Sequence, residues 1–452
     1  MPHHSSLCLA LSALLASGCY VSNPPERTES GARLRAITYA PASGEPFFGG
    51  WYDSELEEEC SFRRNADGRL RCEPRAERTL RIRYLDAGCT EPVYEADDPA
   101  CGPSYVLPTD IVGAPHCGPV EITALHRVAE RLEVAQVFER TSAGGCEARD
   151  ARPVVQRLTP VDPALFVAAD EVEGTGAWLA LDRLVADDGA TRPLGLRDTR
   201  RGESCEVTDP SLARLARAPC VPDARYGIVT GGASCDATWA ISTDCDADLE
   251  LIAMATPDEC GRTTSIEVFR GTPVPESELT LGPECALGFP VPGAVTLEPA
   301  EDAVPWLTRE VRGAGRVQRM VWALDELEAA SLPYDAELDT TCRPSITADG
   351  ELRCVPRTAS VLDRDPLFVD DACTERGLGA HPLLCRSPWV LSTVSTGCDP
   401  AAPTVDVYRV GAPAPQGFHL DESGACVPTD SVVHTLEPVP LSAFARLERR
   451  VE

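Results

Sequence analysis

Cysteine is the residue type whose number and spacing point most directly to chemistry in this sequence. The chain has 452 residues and 20 Cys, of which Cys8 and Cys19 lie in an apolar N-terminal segment. The other 18 form three sets of six: Cys60, Cys72, Cys89, Cys101, Cys117 and Cys146; Cys205, Cys220, Cys235, Cys245, Cys260 and Cys285; Cys342, Cys354, Cys373, Cys385, Cys398 and Cys426. Their shortest gap is 10 residues, whereas zinc sites usually hold Cys pairs with roughly two to four residues between them. We therefore predict disulfide bonds and no metal site.

The gaps between these cysteines also predict how they are joined. From first to second Cys the gap is 12, 15 and 12 residues, from third to fourth 12, 10 and 12, and from fifth to sixth 29, 25 and 28. Because these are the best-kept gaps, we predict sequential pairing of first with second, third with fourth and fifth with sixth. Each bridge would add about 2–4 kcal/mol to the free energy of unfolding.

An aspartate lies seven residues before the first Cys of each set, at Asp53, Asp198 and Asp335. These are the best repeated polar candidates for a functional site. A structural interpretation is favoured, in which each carboxylate accepts hydrogen bonds within a turn.

Alternating carboxylates at Asp244, Asp246 and Asp248 resemble the opening of a calcium-binding loop. The loop needs Gly at its sixth position and Glu at its twelfth, where this sequence has Leu249 and Ala255. We interpret the segment as a solvated turn.

Hydrolase and nucleotide-binding motifs are missing from the sequence. It contains no G-x-S-x-G, no H-E-x-x-H and no G-x-x-x-x-G-K. The five His beyond the N-terminal segment occupy non-equivalent positions: His116, His126, His381, His419 and His434. We predict no catalytic, cofactor-binding or metal-binding residue.

The cysteine sets belong to an internal repeat of about 140 residues. The decapeptide at 66–75, ADGRLRCEPR, returns at 348–357 as ADGELRCVPR, with two letters changed. Each copy ends with Leu-x-Pro, and an aromatic residue follows six or seven positions later, at Phe166, Trp306 and Phe444. We assign repeat 1 to residues 33–173, repeat 2 to 174–312 and repeat 3 to 313–452.

Short alternating apolar runs bounded by Gly, Pro and Asp predict an all-β chain with about eight strands per copy. Both junctions read strand, Glu-Val-x-Gly-x-Gly, strand, with glycines at 174, 176, 313 and 315, which predicts a hairpin across each boundary. The chain ends with one strand of such a hairpin and begins with the other. If these pair, the chain closes as a β-propeller of about six blades. Nine narrower blades and three tandem small β domains are the alternatives.

The N-terminus predicts export. Residues 6–19, SLCLALSALLASGC, have the apolar core and small residues of a signal peptide before a Cys. This resembles a bacterial lipoprotein signal, so we expect a signal peptide at 1–18, lipidated Cys19, and a tether to residue 32. An ordinary secretion signal is the alternative.

The charge restricts the possible partners. There are 71 acidic and 41 basic residues, all of the latter Arg, and the net charge is −30. Nucleic acids and anionic membrane surfaces attract basic proteins, so we expect neither as a partner.

The Asp-x6-Cys, DGxxRCxP, DAxCTE and Leu-x-Pro series resembles cysteine-rich modules of uncharacterised exported proteins from myxobacteria. The matching segments are 53–60, 66–74 and 86–91, and again 335–342, 348–356 and 371–375. The resemblance implies an exported repeat protein and supplies no catalytic residue.

We expect a non-enzymatic scaffold that binds protein or glycan. It would be an outer-membrane lipoprotein facing the periplasm or the cell surface, held to the membrane only through its lipid. The alternatives are a propeller-type glycoside hydrolase that uses paired carboxylates and a calcium-dependent adhesin.

Overall fold

The computed structural model describes residues 28–452 except for 66–67, 80–81, 97–102, 111–120, 123–124, 142–143, 206, 208–214, 223–225, 232–236, 243–249, 258–262, 275–294, 358–359, 362–366, 380–387, 395–403 and 422. Over these residues the chain is all-β, as predicted. The described helical segments are three single 3-10 turns, Pro163–Leu165, Glu301–Ala303 and Leu441–Ala443. In the described part, no helix has the length and apolar character needed to cross a membrane.

The strands are short and numerous. Up to the first junction they are β1 (Leu34–Pro41), β2 (Phe47–Asp53), β3 (Glu58–Arg64), β4 (Leu70–Pro74), β5 (Glu77–Thr79), β6 (Arg83–Tyr84), β7 (Pro92–Ala96), β8 (Tyr105–Asp110), β9 (Glu121–Ile122), β10 (His126–Leu132), β11 (Gln136–Arg140), β12 (Cys146–Asp150) and β13 (Val154–Pro160). Up to the second junction they are β14 (Ala168–Val172), β15 (Leu179–Ala186), β16 (Thr191–Asp198), β17 (Glu203–Cys205), β18 (Arg217–Pro219), β19 (Tyr226–Gly231), β20 (Ala237–Ser242), β21 (Leu251–Pro257), β22 (Thr263–Pro273) and β23 (Val295–Pro299). The rest are β24 (Trp306–Arg312), β25 (Val317–Leu324), β26 (Leu327–Asp335), β27 (Thr340–Ile346), β28 (Leu352–Pro356), β29 (Ser360–Val361), β30 (Leu367–Phe368), β31 (Arg376–Gly379), β32 (Trp389–Val394), β33 (Thr404–Pro413), β34 (Gly417–Leu420), β35 (Cys426–Thr429), β36 (Val433–Pro438) and β37 (Leu447–Val451).

Each copy contributes an outer sheet, and the three outer sheets share one strand order. The first runs β12-β11-β6-β7-β13-β10-β8-β5, with β9 beside β8, and the third runs β35-β34-β30-β31-β36-β33-β32-β29. The second, β19-β20-β23-β22-β21, matches the central five strands of that path. The shared topology is physical evidence for the internal repeat.

The remaining strands, which we call the inner strands, form two larger ladders. One runs β17-β16-β15-β14-β4-β3-β2-β1-β37, and the other runs β18-β24-β25-β26-β27-β28. The junction hairpins are present, since β14 pairs with β15 and β24 with β25, both antiparallel. At the second junction Gly313 and Gly315 have positive φ, as predicted. At the first, a side chain on Gly176 would collide with the carbonyl oxygen of Leu179.

The two ends of the chain meet. Strand β37 pairs antiparallel with β1, placing Val451 opposite Ile37 and Leu447 opposite Pro41. This is the terminal pairing that the sequence predicts. None of the five sheets of the described residues closes on itself, and they contain nine, nine, six, five and eight strands. The propeller of six four-stranded blades is therefore not confirmed, and several small β domains are compatible with these ladders.

The inner strands of each copy pack around a buried disulfide. The first core joins Leu34, Trp51 and the Cys60–Cys72 bridge to Ala169 and Leu184 from beyond the junction. The second is built in the same way around Cys205–Cys220. The third, around Cys342–Cys354, includes Phe47 from β2 and Leu447 from the last strand. Each core thus needs residues from two neighbouring copies.

After each Leu-x-Pro, one apolar side chain enters the core. Phe166 and Phe444 follow the 3-10 turns directly and are 3% and 1% exposed. In the middle copy the equivalent residue is Val304, which is 2% exposed, whereas Trp306 lies two positions further on. The predicted equivalence of Trp306 with the two Phe is therefore wrong, because the middle turn is reached one residue sooner.

The disulfide pattern is sequential only in part. First-with-second pairing is confirmed in all three copies by the bridges just described. The third Cys pairs with the sixth, however, in Cys89–Cys146 and Cys373–Cys426, so the sequential prediction is wrong there. The reason is that β11 pairs with both β6 and β12, which brings the start of β12 beside the loop that follows β6. The remaining eight cysteines of the three sets lie outside the described residues, as do Cys19 and Asp244–Asp248.

Peptide mapping under non-reducing conditions tests this arrangement. We expect a peptide containing Cys89 to be joined to one containing Cys146, and Cys373 to be joined to Cys426. Recovery of Cys89 joined to Cys101 would contradict the topology of the outer sheet.

Candidate functional site

The repeated aspartates hold the start of each inner sheet. Asp53 is fully buried and accepts hydrogen bonds from Arg33, with Nε–Oδ1 at 2.7 Å and Nη2–Oδ2 at 2.8 Å. Its Oδ1 also accepts the backbone N–H of Glu55 and Leu56 at 3.0 and 3.2 Å. The Arg33 guanidinium donates as well to the carbonyl oxygen of Leu165 at 2.8 Å. Hydrogen bonding to Asp53 raises the pKa of Arg33.

The third copy repeats this arrangement. Arg316 contacts both oxygens of buried Asp335 at 2.9–3.0 Å and donates to the carbonyl oxygen of Ala443. Asp335 Oδ1 accepts the N–H of Glu337 at 3.0 Å and of Leu338 at 3.3 Å. The turn interpretation of these aspartates is confirmed, and their partners are the arginines that sequence inspection missed.

In the middle copy a different arginine contacts the 3-10 turn. Trp178 stands directly before strand β15, where the other copies have arginine. Arg200 takes over: its guanidinium carbon lies 3.8 Å from the centre of the Trp178 ring, and its Nη2 is 3.4 Å from the carbonyl oxygen of Ala303. Its Nε is 3.9 Å from Asp198, and Oδ2 of that buried carboxylate has no hydrogen-bond partner among the described residues. The middle ion pair is therefore looser and more exposed.

A second repeated aspartate organises the loop before the third Cys. Asp86 Oδ1 accepts the N–H of Thr90 and Glu91 at 2.9 and 2.7 Å. In the third copy this role belongs to Asp370, one residue before the segment that the sequence pattern picked out, and it accepts hydrogen bonds from the Thr374 hydroxyl and from the N–H of Glu375, both at 2.7 Å. These hydrogen bonds lower the pKa of both carboxyl groups. The DAxCTE motif is thus structural.

A pocket of about 320 Å³ lies where the first and third copies meet. We call it the seam pocket; it is lined by Tyr39, Phe47, Phe48, Gly49, Leu332, Pro333, Cys342, Arg343, Pro344 and Arg357. The rings of Tyr39 and Phe47 lie 5.7 Å apart between centroids, tilted by 49°. Tyr39 rests on Gly49, where a Cβ atom would lie 2.1 Å from the ring.

The seam pocket combines aromatic and cationic groups. The side chains of Arg343 and Arg357 are exposed and form no hydrogen bond or ion pair within the described part of the chain. Burial is the main cause of the raised pKa of Tyr39, so its hydroxyl stays protonated. The pocket lining has neither carboxylate nor histidine. It therefore lacks the paired carboxylates that a glycoside hydrolase would use.

The histidines of the described residues do not line the seam pocket. His126, His419 and His434 lie on β10, β34 and β36, and none lines the seam pocket. His116 and His381 lie outside the described residues. Over the described ranges, no group of three or more His, Cys, Asp or Glu side chains is placed to hold a metal ion. Five disulfides are typical of an exported protein.

Comparison with protein families gives a match over most of the chain. Residues 11–438 match a family of unknown function (DUF7481). The chain belongs to this family. Neither the curated proteins nor the solved structures contain a match to it. The match covers the first two repeats, the third as far as residue 438 and most of the N-terminal segment, and the family has no assigned activity.

Substitution of the repeated aspartates should separate the copies. We expect Asp335→Asn to lower the free energy of unfolding by about 2–3 kcal/mol, because it removes the buried charge that Arg316 contacts and leaves that guanidinium only the exposed Glu337 as a charged acceptor. Asp198→Asn should cost less than about 1 kcal/mol, since the ion pair it removes is long and half-exposed. Urea denaturation of the two variants at neutral pH measures both values. Equal losses would contradict the different geometries.

Asp349, in the turn of the repeated decapeptide, should make the stability of the protein depend on pH. Asp349 accepts hydrogen bonds from Thr347 Oγ1 at 2.6 Å and Arg353 Nη2 at 2.8 Å, which lower its pKa to about 2. Because the folded pKa lies below the unfolded one, this stabilisation is present above about pH 4 and is lost as pH falls towards 2. Asp349→Asn should therefore destabilise the protein at neutral pH and lose its effect at about pH 2.

Asp371→Asn is the matched control, because this exposed carboxylate accepts no hydrogen bond among the described residues. Its stability relative to wild type should not change over the same pH range. A carboxyl ¹³C titration of Asp349 with a midpoint near 4 would contradict the assignment.

Proposed function

We propose that the protein is an exported, lipid-anchored envelope scaffold that binds a protein or glycan without catalysing a reaction. The observation that carries the proposal is that the recurring residues contact other parts of the same chain. The first disulfides, Asp53, Asp335, Asp86 and Asp370 all make internal structural contacts. The features that recur in the copies are therefore structural, and the residues that differ between copies would form the binding surfaces.

We further propose that the three copies form one ring closed by the terminal strands. The support is a backbone hydrogen bond that occurs three times, from the N–H of the second Cys of a copy to the segment before the next junction hairpin. It joins Cys72 to Val167 at 3.0 Å, Cys220 to Pro305 at 2.9 Å and Cys354 to Ala445 at 2.9 Å. In the last case the accepting segment is the chain end, which then pairs with β1.

A second contact supports the ring. The loop after β1 lies against the start of β25, with Val317 N–H donating to the Ser43 carbonyl at 3.2 Å and Arg319 Nε lying 2.8 Å from Glu45. The loop after β15 caps the start of β1 in the same way, since Asp188 Oδ2 accepts the N–H of Leu34 at 2.6 Å. These two contacts run in the same direction, from the second copy to the first and from the first copy to the third, which is consistent with the proposed ring.

Anchoring has a direct test in a Gram-negative bacterial host. The wild-type chain should incorporate labelled fatty acid and enter the detergent phase on Triton X-114 partitioning, while Cys19→Ser should remain in the aqueous phase. Cys8→Ser is the control, because it removes a Cys from the segment that is cleaved off. Equal partitioning of wild type and Cys19→Ser would rule out lipidation.

Binding is tested with the anchor-free Cys19→Ser protein. We expect saturable co-sedimentation with purified envelope polysaccharide or with purified envelope protein, and no release of reducing sugar. Release of reducing sugar would replace the scaffold proposal with a hydrolase, and failure to bind either material would refute it.

A further inference from the structure

We propose that the seam pocket binds a small organic acid in which a carboxylate is attached to a six-membered ring. This inference does not depend on the lipid anchor or on the scaffold role, because it rests only on the pocket between the first and third copies. Its volume of about 320 Å³ falls at the lower end of the range of roughly 300–1,000 Å³ typical of small-ligand sites.

Two arginines supply the charge. Other charged side chains near the seam form ion pairs: Glu45 pairs with Arg319 at 2.8 Å, and Glu59 pairs with Arg449 at 2.7 Å. Arg343 and Arg357 line the pocket and have no side-chain partner among the described residues. In a chain with a net charge of −30, two unpaired cations on one pocket are a local exception. The planar, multiply donating guanidinium suits a carboxylate.

Aromatic side chains supply the complementary surface. Tyr39 and Phe47 pack together and are held by the third core, which contains Phe47 and has Tyr39 against it. Gly49 leaves room for the Tyr39 ring, since any larger residue would displace it. Rigid aromatic walls accept the face of a ring and cost little entropy on binding. A bare inorganic anion would leave these walls without contact.

The pair of arginines is found only in the third copy. Counting from the first and second Cys, Arg343 and Arg357 correspond to Ser61 and Arg75 in the first copy and to Glu206 and Asp223 in the middle one. The repeated structure therefore does not require both arginines.

Across the first junction the corresponding space is occupied. Arg192, which corresponds to Phe47, packs 5.2 Å from the centre of the Phe48 ring, and burial lowers its pKa. At the seam between the first and third copies the same position holds the aromatic ring of Phe47 in place of a guanidinium.

The experiment uses the full anchor-free protein and three probes: benzoate for a flat aromatic acid, glucuronate for a sugar acid, and inorganic phosphate for charge alone. Isothermal titration calorimetry should show saturable binding of benzoate or of glucuronate, and the stronger of the two identifies the source of the ring. The double variant Arg343→Gln, Arg357→Gln should weaken it by about 10-fold or more. Arg75→Gln, the equivalent change in the first copy, should leave it unchanged.

Three results would overturn the proposal. They are absence of saturable binding by both ring acids, phosphate binding as tight as theirs, and equal weakening by the Arg75 variant and the pocket variant. Because the side chains of Arg343 and Arg357 are exposed and form no hydrogen bond or ion pair among the described residues, unfolding of the double variant is not expected, and its urea midpoint should match that of wild type.

Discussion

No copy of this repeat completes its own sheet. The second Cys of each copy donates its backbone N–H to a segment that already belongs to the next junction hairpin, at Val167, Pro305 and Ala445. Two of these segments lead into the following copy. The third segment lies at the end of the chain. In the first two copies the next copy supplies the paired strand, and in the last copy β1 supplies it by pairing with β37. The fold therefore depends on the meeting of its two ends.

The other repeated features act next to this hydrogen bond. Each first disulfide lies in a core shared by two copies, next to the donating N–H, and Arg33 and Arg316 reach from the start of their copy to a carbonyl oxygen of the 3-10 turn at its end. In the middle copy Arg200 replaces the missing arginine and stacks on Trp178. The contact with the turn is retained although the residue that makes it has moved by more than 20 positions, so this contact is what the repeat requires.

Sequence reasoning predicted the features that are local or that repeat. The hairpins, the terminal pairing and the first disulfides follow from short spacings and from glycine and strand patterns. It failed for Cys89, whose partner is set by the pairing of β6 with β11, because an even gap does not imply proximity in space. It also missed the seam pocket, because Phe47 and Arg343 are about 300 residues apart in the sequence and no short spacing connects them.

Hydrogen exchange of the last strand tests the closure most directly. If β37 is held between β28 and β1, the backbone amides of residues 447–451 should exchange as slowly as those of residues 168–172, which occupy the equivalent strand inside the chain, because each strand has a neighbour on both sides. Exchange of residues 447–451 within seconds, while residues 168–172 remain protected, would contradict a structure that depends on its joined ends.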